Sequence, residues 1–302
     1  MLIPKMVEKE KVSLYESKYD IDEQVKKIIK DITVNGTWDD NPRAKYKDCH
    51  SAYTKSINHA IISFDIGEEY LLPIISLRPV AWKSAIGEIL WIYQDASNDL
   101  KLLKDKYGVT WWDNWKLKDN TIGCCYGETV RRHNLMKNLL WGFENDPFGR
   151  RHIMNLWQED DFKLPHSLKP CCYQTVWNMR KNDDGKLYLD MCLFQRSCDF
   201  LVAASTTNLI QYAALQIFVA RHLNVIPGKF TWFGANVHIY DRHLSIAEDL
   251  LNRESIIIHP KLKFNTKINN FYHININDIS IEGYPKDKIS EINPQVKFDM
   301  AI

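Results

Sequence analysis

The sequence predicts an α+β protein, a single domain in which helices flank a mixed β-sheet. Three observations support this fold class. Strand-like runs are clustered, helical patterns are segregated from them, and the chain lacks the regular alternation of strand and helix that marks a doubly wound sheet. No internal repeat or Pro/Ser-rich linker divides the 302 residues, so we expect one domain over residues 1–302, with residues 1–18 as an N-terminal extension.

The first half of the chain contains two helical patterns and two strand-like runs. Apolar residues at helical spacing predict both helices, and the first of them stops at Asn35-Gly36, a typical helix end. Glu88 lies inside the second helical pattern. In chain order we predict a helix at 19–34, a loop at 36–56, strands at 61–66 and 71–77, and a helix at 81–94.

The second half is richer in strands. Residues 182–185 (NDDG) form a strong turn signal between two apolar runs and predict a hairpin. Residues 208–222 are apolar on almost every side, which predicts a buried helix. The strands predicted here are at 151–157, at 173–179 and 187–193 in the hairpin, at 229–233 after a Pro-Gly turn, and in short runs beyond residue 255.

Composition excludes several classes of function. The 39 basic and 38 acidic residues give a formal charge of +1, so no global field attracts nucleic acid or a membrane. Seven cysteines without a CxxC pair or a Cys/His ligand spacing argue against a zinc site, and we expect no metal. The N-terminus lacks the apolar core of a signal peptide, and no 18-residue apolar run exists. We therefore expect a cytoplasmic protein with reduced thiols.

A possible reactive cysteine follows Pro170 at the start of a predicted strand. Cys171 and Cys172 could be two buried small apolar residues, or one of them could present a thiol to a cleft. A thiolate needs cations nearby to lower its pKa, and Arg150-Arg151 on the preceding strand and Arg196 after the hairpin could supply them.

The same arginines could bind a phosphate. Guanidinium groups grip a phosphate dianion through two parallel hydrogen bonds, and the hydroxyl of Ser197 would add another donor. The alternative is that exposed arginines merely solvate the ends of strands. Arg196 fits that alternative poorly, because it lies between apolar residues and a charge there needs a partner.

Two further features are informative only in combination. Glu88 lies within the apolar stretch IGEILW, where a carboxylate must be paired, solvated or functional. In the tripeptide His238-Ile239-Tyr240 the first and last side chains face the same way if the segment is a strand, so both could bind one ligand.

Together these segments resemble the thymidylate synthase family, and the resemblance runs from about residue 20 to the C-terminus. It rests on motifs in the family's order and spacing, and the combination of PC, QRSCD and HIY is highly specific. The motifs are EILWIYQ around Glu88, TWWDNW at 110–115, GCCYG around Tyr126, GRRHI at 149–153, LKPCCYQTVW around Cys171, FQRSCDF at 194–200, NLIQY from Asn208, VHIYDRH at 237–243, and the apolar tail MAI at 300–302.

The resemblance implies a role for each matching position around the nucleotide. Cys171 would attack C6 of the pyrimidine of dUMP, and Glu88 and Tyr126 would organise the water that moves protons. The other substrate-binding residues that it implies are Arg43, Arg196, Ser197, Cys198 and Asp199 near the phosphate and base, Arg150 and Arg151 from a second subunit, Asn208 on the base edge, and His238, Ile239 and Tyr240 at the deoxyribose.

The resemblance also implies the co-substrate and the assembly. The family transfers one carbon from 5,10-methylenetetrahydrofolate, and here Trp112, Trp115, Asp199, Ala301 and Ile302 would contact that folate, with Arg196 and Asp199 counted among the catalytic groups. The implied partner is a second copy, in a homodimer with shared active sites. Neither a membrane nor a nucleic acid is required.

Some positions depart from the family's pattern. Cys172 replaces a common His, Asn236 replaces a common Asp, and residues 201–207 lack the usual Gly and Pro-Phe and are one residue longer. We expect a thymidylate synthase that converts dUMP to dTMP. The alternatives are a hydroxymethylase of dUMP or dCMP and, from another class, a catalytically silent nucleic-acid-binding relative, which the +1 charge disfavours.

Overall fold

A computed structural model describes residues 20–265 and 267–301 of the chain. The expected N-terminal extension at residues 1–18 and the expected folate contact at Ile302 lie outside the described residues.

The centre of the molecule is a six-stranded mixed sheet, as the fold class predicted. The strands run in the order β1-β2-β6-β5-β4-β3; the β5–β6 pair is parallel and the other pairs are antiparallel. A separate two-stranded sheet pairs β7 with β8. The strands are β1 Thr37–Trp38, β2 Thr54–Asp65, β3 His152–Asn155, β4 Cys172–Lys181, β5 Leu187–Asp199, β6 Ile226–Tyr240, β7 Lys261–Phe264 and β8 Ile279–Glu282.

Helices cover one face of the main sheet. The helix α6 is buried on every side from Leu209 to Ala220, which confirms the prediction from its apolar composition. None of the helices within the described residues is long and apolar enough to span a bilayer. The helices are α1 Ile21–Asn35, α2 Trp82–Tyr93, α3 Leu100–Tyr107, α4 Gly127–Arg132, α5 Leu135–Asn145, α6 Leu209–His222, α7 Leu244–Asn252 and α8 Lys286–Ile292.

The predicted hairpin is present, and its turn has Gly185 at φ +82°, a conformation that glycine adopts without strain. The predicted helices at 19–34, 81–94 and 208–222 are also confirmed, each within two residues of the observed ends. The strand predicted at 151–157 is confirmed as the shorter β3, and the strands predicted at 61–66 and 229–233 extend much further, as β2 and β6.

The strand predicted at 71–77 is wrong. This segment makes a single isolated bridge, from Leu71 to Lys261, and is otherwise a buried irregular chain with a bend at 76–78. Its apolar composition reflects burial in the core rather than a place in the sheet. Pro73 and Pro79 lack the N–H groups that a ladder requires, which explains why the segment does not pair.

The other face of the main sheet carries apolar side chains that remain exposed in this chain. Ile61 on β2 and Ile153 on β3 are 60% and 47% exposed. Phe233 on β6 pairs with Ile61 of the neighbouring β2, and the Phe233 ring lies 5.7 Å from the ring of Phe194 on β5. A row of apolar side chains therefore crosses the sheet on the face opposite the helices.

Candidate active site

Cys171 is held immediately before β4 by contacts on both sides. Its backbone N–H donates to the Tyr126 hydroxyl at 3.0 Å, and its carbonyl accepts from the Arg196 backbone N–H at 2.9 Å. The Arg196 guanidinium lies 3.7 Å from the Cys171 Sγ and donates to the carbonyls of Lys169 and Pro170 at 2.8 and 2.9 Å. The strand start and β5 thus fix a thiol beside a permanent cation.

The two adjacent cysteines face different surroundings. Cys171 is partly exposed, whereas Cys172 is 4% exposed and its thiol lies beside the Tyr212 hydroxyl in the core. Burial raises the pKa of the Cys171 thiol, and the nearby charges of Arg196 and Arg43 oppose that rise. The cations therefore offset the cost of forming a thiolate but do not remove it in this chain.

Glu88 is buried in α2 and accepts three hydrogen bonds. The indole N–H groups of Trp111 and Trp112 donate to Oε2 and Oε1 at 2.7 and 2.8 Å, and the Gln211 amide donates to Oε2 at 2.9 Å. Burial raises the pKa of the Glu88 carboxyl to about 7 despite these three donors. A carboxyl with this pKa can both give and take protons near neutrality.

A continuous line of contacts joins Glu88 to Cys171. The Trp112 ring lies 5.3 Å from the ring of Tyr126, whose hydroxyl accepts from the Cys171 N–H. Tyr126 has φ +48°, an uncommon backbone conformation for a residue with a side chain. The nucleophile candidate and the acid–base candidate therefore belong to one site.

Asn208 lies at the start of α6 and is partly exposed. Its Oδ1 accepts from Gln195 at 3.0 Å, and its Nδ2 donates to Gln211 at 2.9 Å. Both glutamines are buried, and Gln211 in turn donates to Glu88, which connects Asn208 to that carboxyl.

His238 and Tyr240 lie on the same face of β6, which confirms the strand geometry on which their pairing depended. His238 Nδ1 lies 2.9 Å from the Asn236 Oδ1, and burial lowers the pKa of His238 to about 4, so the ring is neutral at pH 7. The side chain of Ile239, also an expected contact, is fully buried on the core face, because side chains alternate along a strand. It could contact a ligand only through its backbone.

The segment between β5 and α6 is a π-helix from Phe200 to Asn208. Asp199 caps it by accepting from the Val202 N–H at 3.2 Å, and burial raises the pKa of Asp199 to about 7. The Cys198 side chain is buried in the core, whereas Ser197 is partly exposed.

Arg78 connects the C-terminal tail to this segment. Arg78 donates to the Leu201 carbonyl at 2.8 Å, lies 3.4 Å from the Thr206 hydroxyl, and donates to Gln295 in the tail at 3.2 Å. The Arg78 guanidinium also lies 5.1 Å from the centre of the Phe298 ring. Ala301, expected to contact the folate, is partly exposed at the end of the described tail.

The remaining arginines fall into two groups. Arg43 is exposed but close enough to Cys171 and Tyr240 to influence the pKa of both. Arg150 and Arg151 lie just before β3, rather than on a strand as predicted. They are exposed, and neither side chain forms a hydrogen bond or an ion pair within the described residues.

Four residues of the site were not predicted. Trp111, Gln195 and Gln211 belong to the hydrogen-bonded groups around Glu88 and Asn208, and Arg78 joins the tail to the π-helix. The sequence pattern that identified Glu88 is also present at Gln211 and Arg78, because each is a polar residue inside an otherwise apolar run. The partner of such a residue is a long-range property, so the signal identifies the residue and not its role.

The sequence model described as thymidylate synthase matches residues 23–302. The chain belongs to the thymidylate synthase family. A thymidylate synthase of Lactococcus lactis subsp. cremoris strain SK11 is 40% identical over 282 residues, which are 93% of this chain and 99% of the relative. One of Streptococcus sanguinis strain SK36 is 42% identical over 279 residues, which are 92% of this chain and 97% of that protein.

A solved structure supports the same family assignment. Thermostable thymidylate synthase A from Bacillus subtilis matches with a TM-score of 0.82 and 32% identity, and the match covers 93% of this chain and 99% of that one. The shared fold is the mixed sheet with flanking helices described above. Family members use methylenetetrahydrofolate as a co-substrate.

Proposed function

We propose that this chain is a thymidylate synthase, a methyltransferase that converts dUMP to dTMP with 5,10-methylenetetrahydrofolate. The observation that carries the proposal is the Cys171 thiol 3.7 Å from the Arg196 guanidinium, at one end of a line of contacts that leads to Glu88. The relatives are named as thymidylate synthases, which favours this activity over hydroxymethylation.

In the proposed reaction, Cys171 forms a bond from Sγ to C6 of the uracil ring. The electron pair of the C5–C6 double bond moves toward C5 and O4, which makes C5 nucleophilic. Asn208 donates to O4 and stabilises the charge that develops there. Arg196 stabilises the thiolate before the attack and helps to hold the 5'-phosphate together with Arg43 and Ser197.

The folate supplies the one-carbon unit and the hydride, and the Sγ–C6 bond then breaks as the C5–C6 double bond re-forms and releases the Cys171 thiolate. The residues fit such a ligand, because Trp111 and Trp115 present partly exposed rings, and Asp199 has a carboxyl that can donate or accept near neutrality. Glu88, Trp112 and Tyr126 would manage the proton that leaves C5, and Ala301 would help the tail to exclude water. Neutral His238 and Tyr240 would bind the 3'-hydroxyl.

We propose that the active unit is a homodimer and that each chain acts as one domain. The support is the apolar row across the open face of the sheet and the absence of partners for Arg150 and Arg151 within the described part of their own chain. In a face-to-face dimer, these arginines would reach the phosphate in the neighbouring subunit. We also propose a cytoplasmic location and catalysis without a metal.

The experiment is an assay of the purified enzyme with dUMP and methylenetetrahydrofolate. We expect equal amounts of dTMP and dihydrofolate, identified by product mass and by the ultraviolet absorbance change of the folate. A product one oxygen heavier than dTMP, formed without dihydrofolate, would identify a hydroxymethylase instead.

A further inference from the structure

Five side chains form one unbroken line of hydrogen bonds through the site. Trp232 Nε1 donates to Gln195 Oε1 at 2.8 Å, and Gln195 Nε2 donates to Asn208 Oδ1 at 3.0 Å. Asn208 Nδ2 then donates to Gln211 Oε1 at 2.9 Å, and Gln211 Nε2 donates to Glu88 Oε2 at 2.9 Å. We call these five residues the amide relay.

The chemistry of its indole end fixes the direction of the amide relay. An indole N–H can only donate, so Gln195 must present its oxygen to Trp232 and its NH₂ group to Asn208. At the other end the same order makes Gln211 accept from Asn208 through its oxygen, which leaves its NH₂ group to donate to Glu88. Each amide between these ends could be flipped only by placing two donors or two acceptors face to face.

Burial shows which member meets the ligand. Trp232, Gln195, Gln211 and Glu88 are all buried, whereas Asn208 is partly exposed. After its two bonds in the relay, the Asn208 amide retains one N–H and one lone pair. A uracil edge needs a donor for O4 and an acceptor for N3–H, which matches these two groups. A cytosine edge offers an amino group and an unprotonated N3, which requires the reverse arrangement.

We propose that Trp232 and Gln211 are positioning residues that set base specificity, by locking the Asn208 amide in the orientation that accepts uracil and rejects cytosine. This inference rests on the proposed function for the identity of the substrate. It goes further by assigning discrimination to two residues that do not touch the base. It also links the group that recognises the base to the Glu88 carboxyl through a single side chain, Gln211.

The test measures base preference without turnover. Dissociation constants for dUMP and dCMP are determined by calorimetry for the full-length enzyme and for Trp232→Phe, Gln211→Met and the double variant. Phe keeps most of the ring and Met keeps the length of the side chain, but each removes the hydrogen bonds. We expect the preference for dUMP to fall about tenfold in each single variant, the size of one lost hydrogen bond. The double variant should show a greater loss.

Two matched variants control for damage to the core. Trp177→Phe removes an equally buried indole N–H whose partner is Thr175, and Gln216→Met removes a buried amide of α6 that donates to backbone carbonyls. Both should leave the ratio of the two dissociation constants unchanged. Melting temperatures of all variants show whether each one is folded.

A relay with a merely structural role would weaken dUMP and dCMP binding equally and leave their ratio unchanged. That result in folded Trp232→Phe or Gln211→Met protein would overturn the proposal, and so would equal affinities in the unmodified enzyme. Failure of the proposed function would be seen separately, as no dTMP in the turnover assay, while the binding ratio would still test the relay.

Discussion

Cys171 and Cys172 are neighbours in sequence with opposite surroundings. The thiol of Cys171 lies beside Arg196 and is partly exposed, whereas the thiol of Cys172 is packed in the core near Tyr212. Side chains alternate between the two faces at the start of a strand, which accounts for this difference. What the sequence did not reveal is that burial raises the pKa of Cys171, a balance that depends on long-range packing.

This difference predicts the effect of removing each thiol. Cys171→Ala should lower kcat by at least about 10³-fold, since the covalent step is lost. Cys172→Ala should keep a substantial fraction of activity and lose only about 1 kcal/mol of stability, because one buried sulfur is removed. Steady-state rates and denaturant melts of both variants measure these effects. Equal loss of activity in the two variants would refute the assignment.

Glu88 predicts a pH dependence of stability. Its pKa rises from 4.5 to about 7 on folding because of burial. Between those values the folded protein keeps a proton that the unfolded chain has released, so this carboxyl makes the protein less stable as pH rises through the window. From pH 4.5 to 8 the loss should reach at most about 3 kcal/mol.

The comparison with Glu88→Gln isolates this effect. Both proteins contain the other titrating groups, so the difference between their free energies of unfolding reports Glu88 alone. The unmodified protein should lose stability relative to the variant as pH rises, whatever the absolute offset between them. A difference that stays flat from pH 4.5 to 8 would show that Glu88 titrates normally.

At the scale of elements, the one residue by which 201–207 exceeds the family's pattern has a structural explanation. The segment from Phe200 to Asn208 is a π-helix, and the Leu209 N–H bonds to the Ala204 carbonyl five residues back. A π-turn absorbs one additional residue while the flanking structure keeps its place. Asp199 and Asn208 therefore both remain at the site, although the loop between them differs from the family's pattern.

The contacts of Arg78 predict that this residue holds the C-terminal tail in place. It connects the π-helix to Gln295 and Phe298, so Arg78→Met should loosen the tail and raise the KM for the folate more than that for dUMP. Loss of these charged hydrogen bonds should cost about 2–3 kcal/mol of stability. The measurements are the two KM values and the rate at which carboxypeptidase removes the tail.

Arg221→Met is the matched control, because Arg221 also contacts aromatic rings and a backbone carbonyl but lies away from the tail. Its carboxypeptidase rate should equal that of the unmodified enzyme. If Arg78→Met left the tail equally resistant, Arg78 would have no part in holding it.

Sequence alone predicted the elements with a strong local signal. The hairpin contains characteristic turn residues, and the apolar residues of α1, α2 and α6 identify these segments as helices. The strand predicted at 71–77 was wrong because an apolar run indicates burial but does not show whether the chain pairs with another strand. The helices α3 and α4 were missed because they are short, with eight and six residues. The helix α5 was missed although its buried residues have helical spacing, at Met136, Leu139, Leu140 and Phe143.

At the scale of the whole molecule, the open face of the sheet predicts a dimer. Mixing inactive Arg151→Glu protein with inactive Cys171→Ala protein should restore activity, because one of the two sites in each hybrid would carry neither change. Up to about one quarter of the normal activity is expected with random exchange of subunits, since half the dimers are hybrids with one intact site. The measurement is the rate after subunit exchange has been verified.

Two further results test the dimer and the subunit in which Arg151 acts. Ile61→Asp should break the dimer and abolish activity together, since a charge would be buried in the interface. Verified hybrids without any activity would show that Arg151 acts within its own chain.

The central claim is that Cys171 attacks the pyrimidine in a reaction that also requires the folate. The direct measurement uses 5-fluoro-dUMP, in which fluorine replaces the hydrogen that must leave C5 as a proton, so the reaction stops with the thiol attached. The enzyme is incubated with this analogue and methylenetetrahydrofolate, digested, and mapped by tandem mass spectrometry. We predict a complex of enzyme, nucleotide and folate joined through Cys171. An adduct on Cys172, or a protein that stays unmodified in the presence of both ligands, would contradict it.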